Sequence, residues 1–351
     1  MAKLIRQSNF ELLRILCMFG VLCNHTLQSV YTDLNAAVSY PTHYVQVFLM
    51  SMSIISVNCF VLISGYFRIK QSWSGISNLY TQCAFYVLVC YMIGIVMHEI
   101  STVEALKRTV FALSESGLWF IVAYLGLYLI APILNAGYAS LEESKKKSLL
   151  ILMLILDVYL GYLHQSEEVT INGYHVIHFI VLYFIGCYLS ERPIKAFAPS
   201  AMCGGGKWLI LCLLCVFLHA VKVRFEPMAI LFSFRYNSPM VMILTLAFFH
   251  WVMTWQIQKK WINWISASVL SVYIIQAQPV GCGFLYGTLS RIHAQYATIP
   301  AAFLMVSVVV CFFAGCIFID KVRIRICSPI NDFFAKYMKS KSNRFCSKRY
   351  G

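Results

Sequence analysis

Charge is what this chain has least of. Of 351 residues only 12% are Asp, Glu, Lys or Arg, against about 25% in an ordinary soluble protein. With 60% hydrophobic residues and a mean hydropathy of +0.72, a soluble fold is excluded and the chain is an integral membrane protein. It also lacks a polar stretch long enough for a soluble domain, the longest being Lys321 to Gly351. We therefore read a membrane domain over 1–320 and a basic cytosolic tail over 321–351. The fourteen cysteines have no extracellular disulfide spacing. Cys212 and Cys215 form a CxxC, but inside the apolar run KWLILCLLCVFLHA, where small residues pack between helices. No small-x-small cleavage site follows Lys3 and Arg6, so the N-terminal apolar run reads as an uncleaved first span. Acidic residues are scarce too, and the net charge is +14. The basic residues lie in short runs between apolar spans rather than on one soluble face, which excludes nucleic acid as a partner.

What is present is a series of apolar runs near the ~20 residues that cross a bilayer. They lie at about 9–31, 44–67, 76–98, 117–139, 148–163, 174–190, 206–222, 237–257, 265–287 and 298–320. The expected fold is all-α and polytopic, with about ten transmembrane helices. EALKRTVFAL (104–113) is too short and too charged to span and reads as an interfacial helix. With the N-terminus in the cytosol, inside segments carry 21 of the 28 Lys and Arg and outside segments six; without the tail the split is 12 to six. The positive-inside rule thus expects both termini in the cytosol. The tail is either a solvated charge run or a contact for the anionic inner leaflet.

The first span, FELLRILCMFGVLCNHT (10–26), carries Glu11, Arg14 and His25. A charge centred in a bilayer helix costs roughly 2.5–3.5 kcal/mol on insertion scales. At ~100° per residue Arg14 and His25 differ by about 20° in azimuth, and Glu11 lies about 60° from Arg14. All three share one stripe. Arg14 and His25 stand roughly 16 Å apart along the axis, too far for direct pairing. They fit two parts of one polar pathway, Arg14 near the cytosolic boundary and His25 toward the outer half. An i,i+3 pair of Glu11 with Arg14, or snorkelling to the interface, is the structural alternative.

Arg-x10-His in the first span, then CFVLISGYF (59–67) ending the second, resembles the membrane acyltransferase-3 family. Other segments fit the family pattern in order: GLWFIVAYLGLYLIAPIL (117–134), FIVLYFIGCYLS (179–190), YNSPMVMI (236–243) and SASVLSVYIIQ (266–276). The resemblance covers about residues 6–320. It implies a ten-helix protein that moves acyl groups, usually acetyl from cytosolic acetyl-CoA, onto glycans and related envelope molecules. There are two departures. Gln276 stands where the family has a late His, and WSGISNLYTQCAFY lacks the Arg pair that many members carry after the second span.

O-acetylation needs a base to take the hydroxyl proton during attack on a thioester. His25 is the candidate base, because imidazole titrates near neutrality and the resemblance places catalysis at this position. Arg14 is the second catalytic candidate, attracting the CoA phosphates or polarising the thioester. Glu11 orients Arg14 or simply pairs with it. Ser64 and Tyr66, beside Gly65, offer hydroxyls to the acceptor or thioester, and Asn58 is a further polar group on the same helix; a small-residue packing seam explains this segment equally well. Arg68 and Lys70 would add positive potential at the CoA entrance, though topogenic charge explains them as well. Trp119 offers an aromatic platform to sugar or pantetheine, or an interface anchor. Asp157, alone in its span, is costly to bury. His175 and His178 are three apart but have no third ligand nearby, so no metal is expected.

The expected partners are an acyl-CoA donor as co-substrate, with no bound cofactor, a glycan or lipid-linked glycan acceptor, and the lipid bilayer of the cytoplasmic (inner) membrane. A transporter or flippase of glycan precursors also suits intramembrane Arg and His. Against it stand the lack of internal repeats and the concentration of ionisable groups in one helix.

Overall fold

The computed structural model describes residues 7–31, 41–96, 101–114, 117–165, 172–192, 201–225 and 232–347, and no strand occurs among them. The helices are α1 (Ser8–Val30), α2 (Pro41–Ser53), α3 (Ser56–Tyr66), α4 (Trp73–Val96), α5 (Thr102–Val110), α6 (Trp119–Ala139), α7 (Glu143–Leu156), α8 (Val176–Ser190), α9 (Ala201–Arg224), α10 (Pro239–Met253), α11 (Lys260–Ser266), α12 (Val269–Ala277), α13 (Pro279–Gln295) and α14 (Thr298–Ser347). A π-helical turn, Asp157–Leu163, continues α7. Hydrocarbon offers no hydrogen bonds, so spans satisfy their own backbone, and helices are the economical way to do so.

Six helices among the described residues are long and apolar enough to cross a membrane: Ser8–Val30, His43–Tyr66, Trp73–Val96, Trp119–Ala139, Gly204–Arg224 and Thr298–Pro329. A seventh forms if Lys260–Ala277 and Pro279–Gln295, bent by 81°, are counted as one. The count of about ten is therefore not reached by length alone. Two of the expected spans, Val176–Ser190 and Pro239–Met253, are apolar but only 15 residues each. Another is divided between α7 and the π turn. The expected interfacial helix is α5, where the Ser101 hydroxyl accepts from the Glu104 N–H and Arg108 pairs with Glu104 at 2.7 Å. Its Val103, Leu106 and Val110 are exposed, as suits a helix lying in the headgroup region. Large apolar side chains such as Ile133, Phe217, Phe303 and Phe318 also point outward. That surface is fitted to lipid rather than water.

The chain forms two compact units, Met1–Ile69 with Ala123–Val269, and Lys70–Val122 with Leu270–Gly351. In the first, α3 packs on both α1 and α8. The α3–α8 seam is set by glycines: a Cβ on Gly65 would stand 2.0 Å from the Tyr183 carbonyl oxygen, and one on Gly186 2.4 Å from that of Leu62. Backbones this close leave room for no side chain. Cys212 and Cys215 are fully buried on α9, the packing role their apolar setting implies.

In the second unit, α4 and α14 are joined by a buried carboxylate. Asp320 Oδ1 accepts from Arg323 Nε at 2.6 Å, Tyr86 Oη at 2.8 Å and Gln82 Nε2 at 3.3 Å. The Tyr273 hydroxyl donates to the Gly117 carbonyl at 2.8 Å, tying α12 to the start of α6. A cavity of about 480 Å³ is lined by Tyr91, Glu104, Arg108 and Pro279. Helix α14 runs unbroken past residue 320, where the apolar run ends.

Candidate functional site

Helix α1 is anchored at its N-terminus. The Ser8 hydroxyl accepts from the Lys259 N–H at 3.0 Å, and Asn9 Nδ2 donates to the Val252 carbonyl at 3.3 Å. One turn on, Glu11 is buried, with one carboxylate oxygen 2.5 Å from Arg14 Nη1 and the other accepting from Ser266 Oγ at 2.5 Å. Both oxygens are thus committed, and Arg14 is held by a carboxylate that is itself held. The Arg14 side chain keeps 31% exposure, so a buried orienter presents a half-accessible cation.

Tyr124 of α6 lies within electrostatic reach of Arg14, and its hydroxyl is 3.1 Å from Ser64 Oγ. Ser64 also donates to the Phe60 carbonyl at 3.0 Å. The structure thus gathers Glu11, Arg14 and Ser64, and adds Tyr124 and Ser266. Tyr66 packs on Phe10 of α1 with ring centroids 4.7 Å apart, so it braces α1 as well as offering a hydroxyl. His25 is half-buried on α1, on the same helical stripe as Arg14 but three turns further along. Between them, Gly20 sits so close to α3 that a Cβ would stand 2.3 Å from Ser56 Oγ.

Four other expected residues have surroundings of their own. Asn58 is buried, and its amide is committed to protein partners: Nδ2 donates to the Tyr236 carbonyl at 2.9 Å, and Oδ1 is 3.2 Å from His178 Nε2. Trp119 and Lys70 belong to the second unit; Trp119 is half-buried with its ring edge-on to Phe120, and Lys70 is exposed. Arg68, with its backbone in the left-handed region at φ 53°, pairs with Glu191 and stands 5.6 Å over the Tyr138 ring. Lys146 bonds the other Glu191 oxygen at 3.0 Å, and Arg192 pairs with Glu143. Burial pushes the Glu191 carboxyl up, but Lys146 and Arg68 together outweigh it and hold the group below its ordinary value. Three cations share two carboxylates here, so a net positive potential survives the pairing.

Asp157 and His178 meet, which their sequence positions did not reveal: Asp157 Oδ2 is 2.7 Å from His178 Nδ1. Both ring nitrogens of His178 are therefore occupied within the protein, while His175 stands at the N-cap position of α8 with no capping bond from its side chain. No group of three or more His, Cys, Asp or Glu placed to hold a metal occurs among the described residues. In the second unit, the Tyr286 hydroxyl donates to Oε1 of buried Gln276 at 3.1 Å, so this position is a hydrogen-bonding amide.

The Acyltransferase domain model matches residues 7–320, from the foot of α1 into α14. The chain belongs to the acyltransferase-3 family. No curated protein and no solved structure is matched. Membership makes this acyltransferase-3 protein a membrane acyltransferase, and its matched segment contains both Arg14 and His25.

Proposed function

We propose that this acyltransferase-3 protein moves an acetyl or similar acyl group from cytosolic acyl-CoA to a hydroxyl of a cell-envelope polysaccharide or its lipid-linked precursor. The carrying observation is α1: a carboxylate-held Arg14 and a half-buried His25 on one helical stripe, within a chain of this family. His25 takes the proton of the acceptor hydroxyl as its oxygen attacks the thioester carbonyl. The new C–O bond forms, the C–S bond breaks, and CoA leaves as thiolate to recover the proton. General-base help of this kind is worth typically 10²–10⁴-fold in rate. Arg14, roughly 16 Å away along the axis, suits the phosphate end of the donor better than the reacting carbonyl, and the long arm of acyl-CoA bridges the two. Ser64 and Tyr66 serve the acceptor or thioester, Glu11 orients Arg14, Arg68 and Lys70 add positive potential for the donor, and Trp119 offers an aromatic face. The donor acts as a co-substrate, and no resident cofactor or metal is invoked.

The proposed arrangement is ten spans in the cytoplasmic membrane with both termini cytosolic, counting the two 15-residue helices and the α7–π segment. Helix directions support it. Phe10 meets Tyr66 and Gly20 meets Ser56, so α1 and α3 are antiparallel. Asn58 meets His178 and Gly65 meets Gly186, so α3 and α8 are parallel, as the second and sixth of ten spans would be. Residues 68, 143, 146, 191 and 192, from three segments that charge counting puts in the cytosol, meet in one ion cluster.

The deciding experiment is transfer of radiolabel from acetyl-CoA to endogenous glycan in membranes holding wild type or His25→Ala, at matched expression. Label with wild type alone is expected. Equal label in both would remove His25 as the base, and no label in either would leave a transporter or another donor as the better reading.

A further inference from the structure

Three buried polar side chains of the first unit stand apart from that chemistry and form a line of their own. Asp157 opens the π turn, His178 lies in the first turn of α8, and Asn58 lies in the first turn of α3. Asp157 Oδ2 is 2.7 Å from His178 Nδ1, and His178 Nε2 is 3.2 Å from Asn58 Oδ1. Asn58 Nδ2 donates to the Tyr236 carbonyl and also reaches Thr245 Oγ1 at 3.5 Å.

A carbonyl only accepts, so the Tyr236 contact fixes which end of the Asn58 amide is nitrogen. Asn58 Oδ1 then faces His178, and Nε2 has to carry a hydrogen to meet it. On the far side, an ionised Asp157 against a bare Nδ1 would set a lone pair against a carboxylate. One proton therefore lies between Asp157 and His178. It sits on nitrogen as an imidazolium–carboxylate pair or on oxygen as a neutral acid beside imidazole. Either form has no net charge, which is what a buried apolar setting tolerates.

The line ties α3 to α8 at one end, and the Gly65–Gly186 seam ties them at the other. Helix α1 rests on the same α3 through Gly20 and Ser56, and Gly20 lies between Arg14 and His25. The height of α3 against α8 thus sets the height of the Arg14–His25 stripe.

We propose that Asp157, His178 and Asn58 are positioning residues, a proton-holding line that fixes α3 and through it the reactive stripe of α1. The effect on turnover rests on the acyl-transfer reading; the effect on register does not.

Two readouts on the purified full-length protein test it. The first uses native Cys17 of α1 and Cys59 of α3, which lie within hydrogen-bonding reach. Iodine oxidises the two thiols to a disulfide, taking two electrons and releasing two protons, and mass spectrometry follows the rate. The second is acetyl transfer from acetyl-CoA, expressed per folded protein. His178→Leu and Asp157→Leu are expected to slow the cross-link and to lower kcat about tenfold or more, with KM for acetyl-CoA little changed. Asp157→Asn is expected to restore both, since its amide donates to Nδ1 while Nε2–H still meets Asn58. Unchanged cross-linking in His178→Leu would overturn the proposal whatever turnover does. Asp157→Asn as damaging as Asp157→Leu would show that charge, not the hydrogen-bonded line, is what matters. Wild type without acetyl transfer would defeat the functional reading, and the cross-link would still decide the positioning claim.

Discussion

Replacing Gly65 by Ala adds one methyl group to the seam between α3 and α8. That Cβ would stand 2.0 Å from the Tyr183 carbonyl oxygen, 2.8 Å from its carbon and 2.9 Å from its Cα. All three are backbone atoms, which cannot rotate away. A carbon normally approaches a carbonyl oxygen no closer than about 3.3 Å, so the helices would have to part by about 1 Å. Overpacking of this kind costs about 1–3 kcal/mol. Parting also stretches the Cys187 Sγ–Gly65 carbonyl contact, now 3.3 Å, and the Asn58–His178 bond, which brings the expected loss to about 2–4 kcal/mol. The assay is the thermal unfolding midpoint in detergent, with Gly137→Ala as the matched control. A Cβ at Gly137 meets nothing within 4 Å, and Gly→Ala at a compatible helical site gains about 0.4–1 kcal/mol. The same chemical change should therefore move the two proteins in opposite directions. Midpoints within about one degree of each other would refute the reasoning, since a kilocalorie is worth at least that much.

Glu11→Gln should raise KM for acetyl-CoA about tenfold, the worth of a charge-assisted bond of about 1.5 kcal/mol, because Arg14 loses its ionic orienter; an unchanged KM would show that Arg14 needs none. Arg323→Leu leaves the Asp320 carboxylate buried without its cation and should cost about 3–5 kcal/mol. The double variant Asp320→Leu/Arg323→Leu should recover most of that, and thermal melts of the two decide it. The Glu191 carboxyl is held below its ordinary value in the folded protein, so its contribution is in place above the unfolded value of about 4.3 and is lost as pH falls through the folded one. Wild type should lose a small increment of stability on that acid limb and Glu191→Gln should not. Parallel curves would argue against the ion cluster.

What the sequence reveals follows the range of the interactions. Long apolar runs mark long helices because composition is local, and α1, α4, α6 and α14 fall where the runs do. The Glu11–Arg14 pair was legible for the same reason, the partners being three residues apart on one helix. Runs are poor guides to where hydrogen bonding stops or changes, so α14 continues past residue 320 and the run at 148–163 passes from α to π at Asp157. Partners distant in the chain left no mark. Asp157 stood out as a costly charge and His178 as half of a histidine pair, yet nothing local announced that they meet each other and Asn58, 120 residues from His178. Arg68 likewise reads as free positive charge until Glu191 is placed beside it.

The π turn after α7 has a consequence for chain length. There the His164 N–H reaches back five residues to the Tyr159 carbonyl, at 2.9 Å, instead of four. Side chains along the turn are therefore rotated progressively from where an α-helix of equal residue count would put them, by roughly 100° once a whole residue has been gained. Deleting one residue inside Asp157–Leu163 would let the span rewind to ordinary pitch and swing buried Gly161 and Tyr162 toward other neighbours. This span should thus accept many single replacements on its outward face and tolerate almost no change in length, so small deletions would map its tolerance better than a substitution scan.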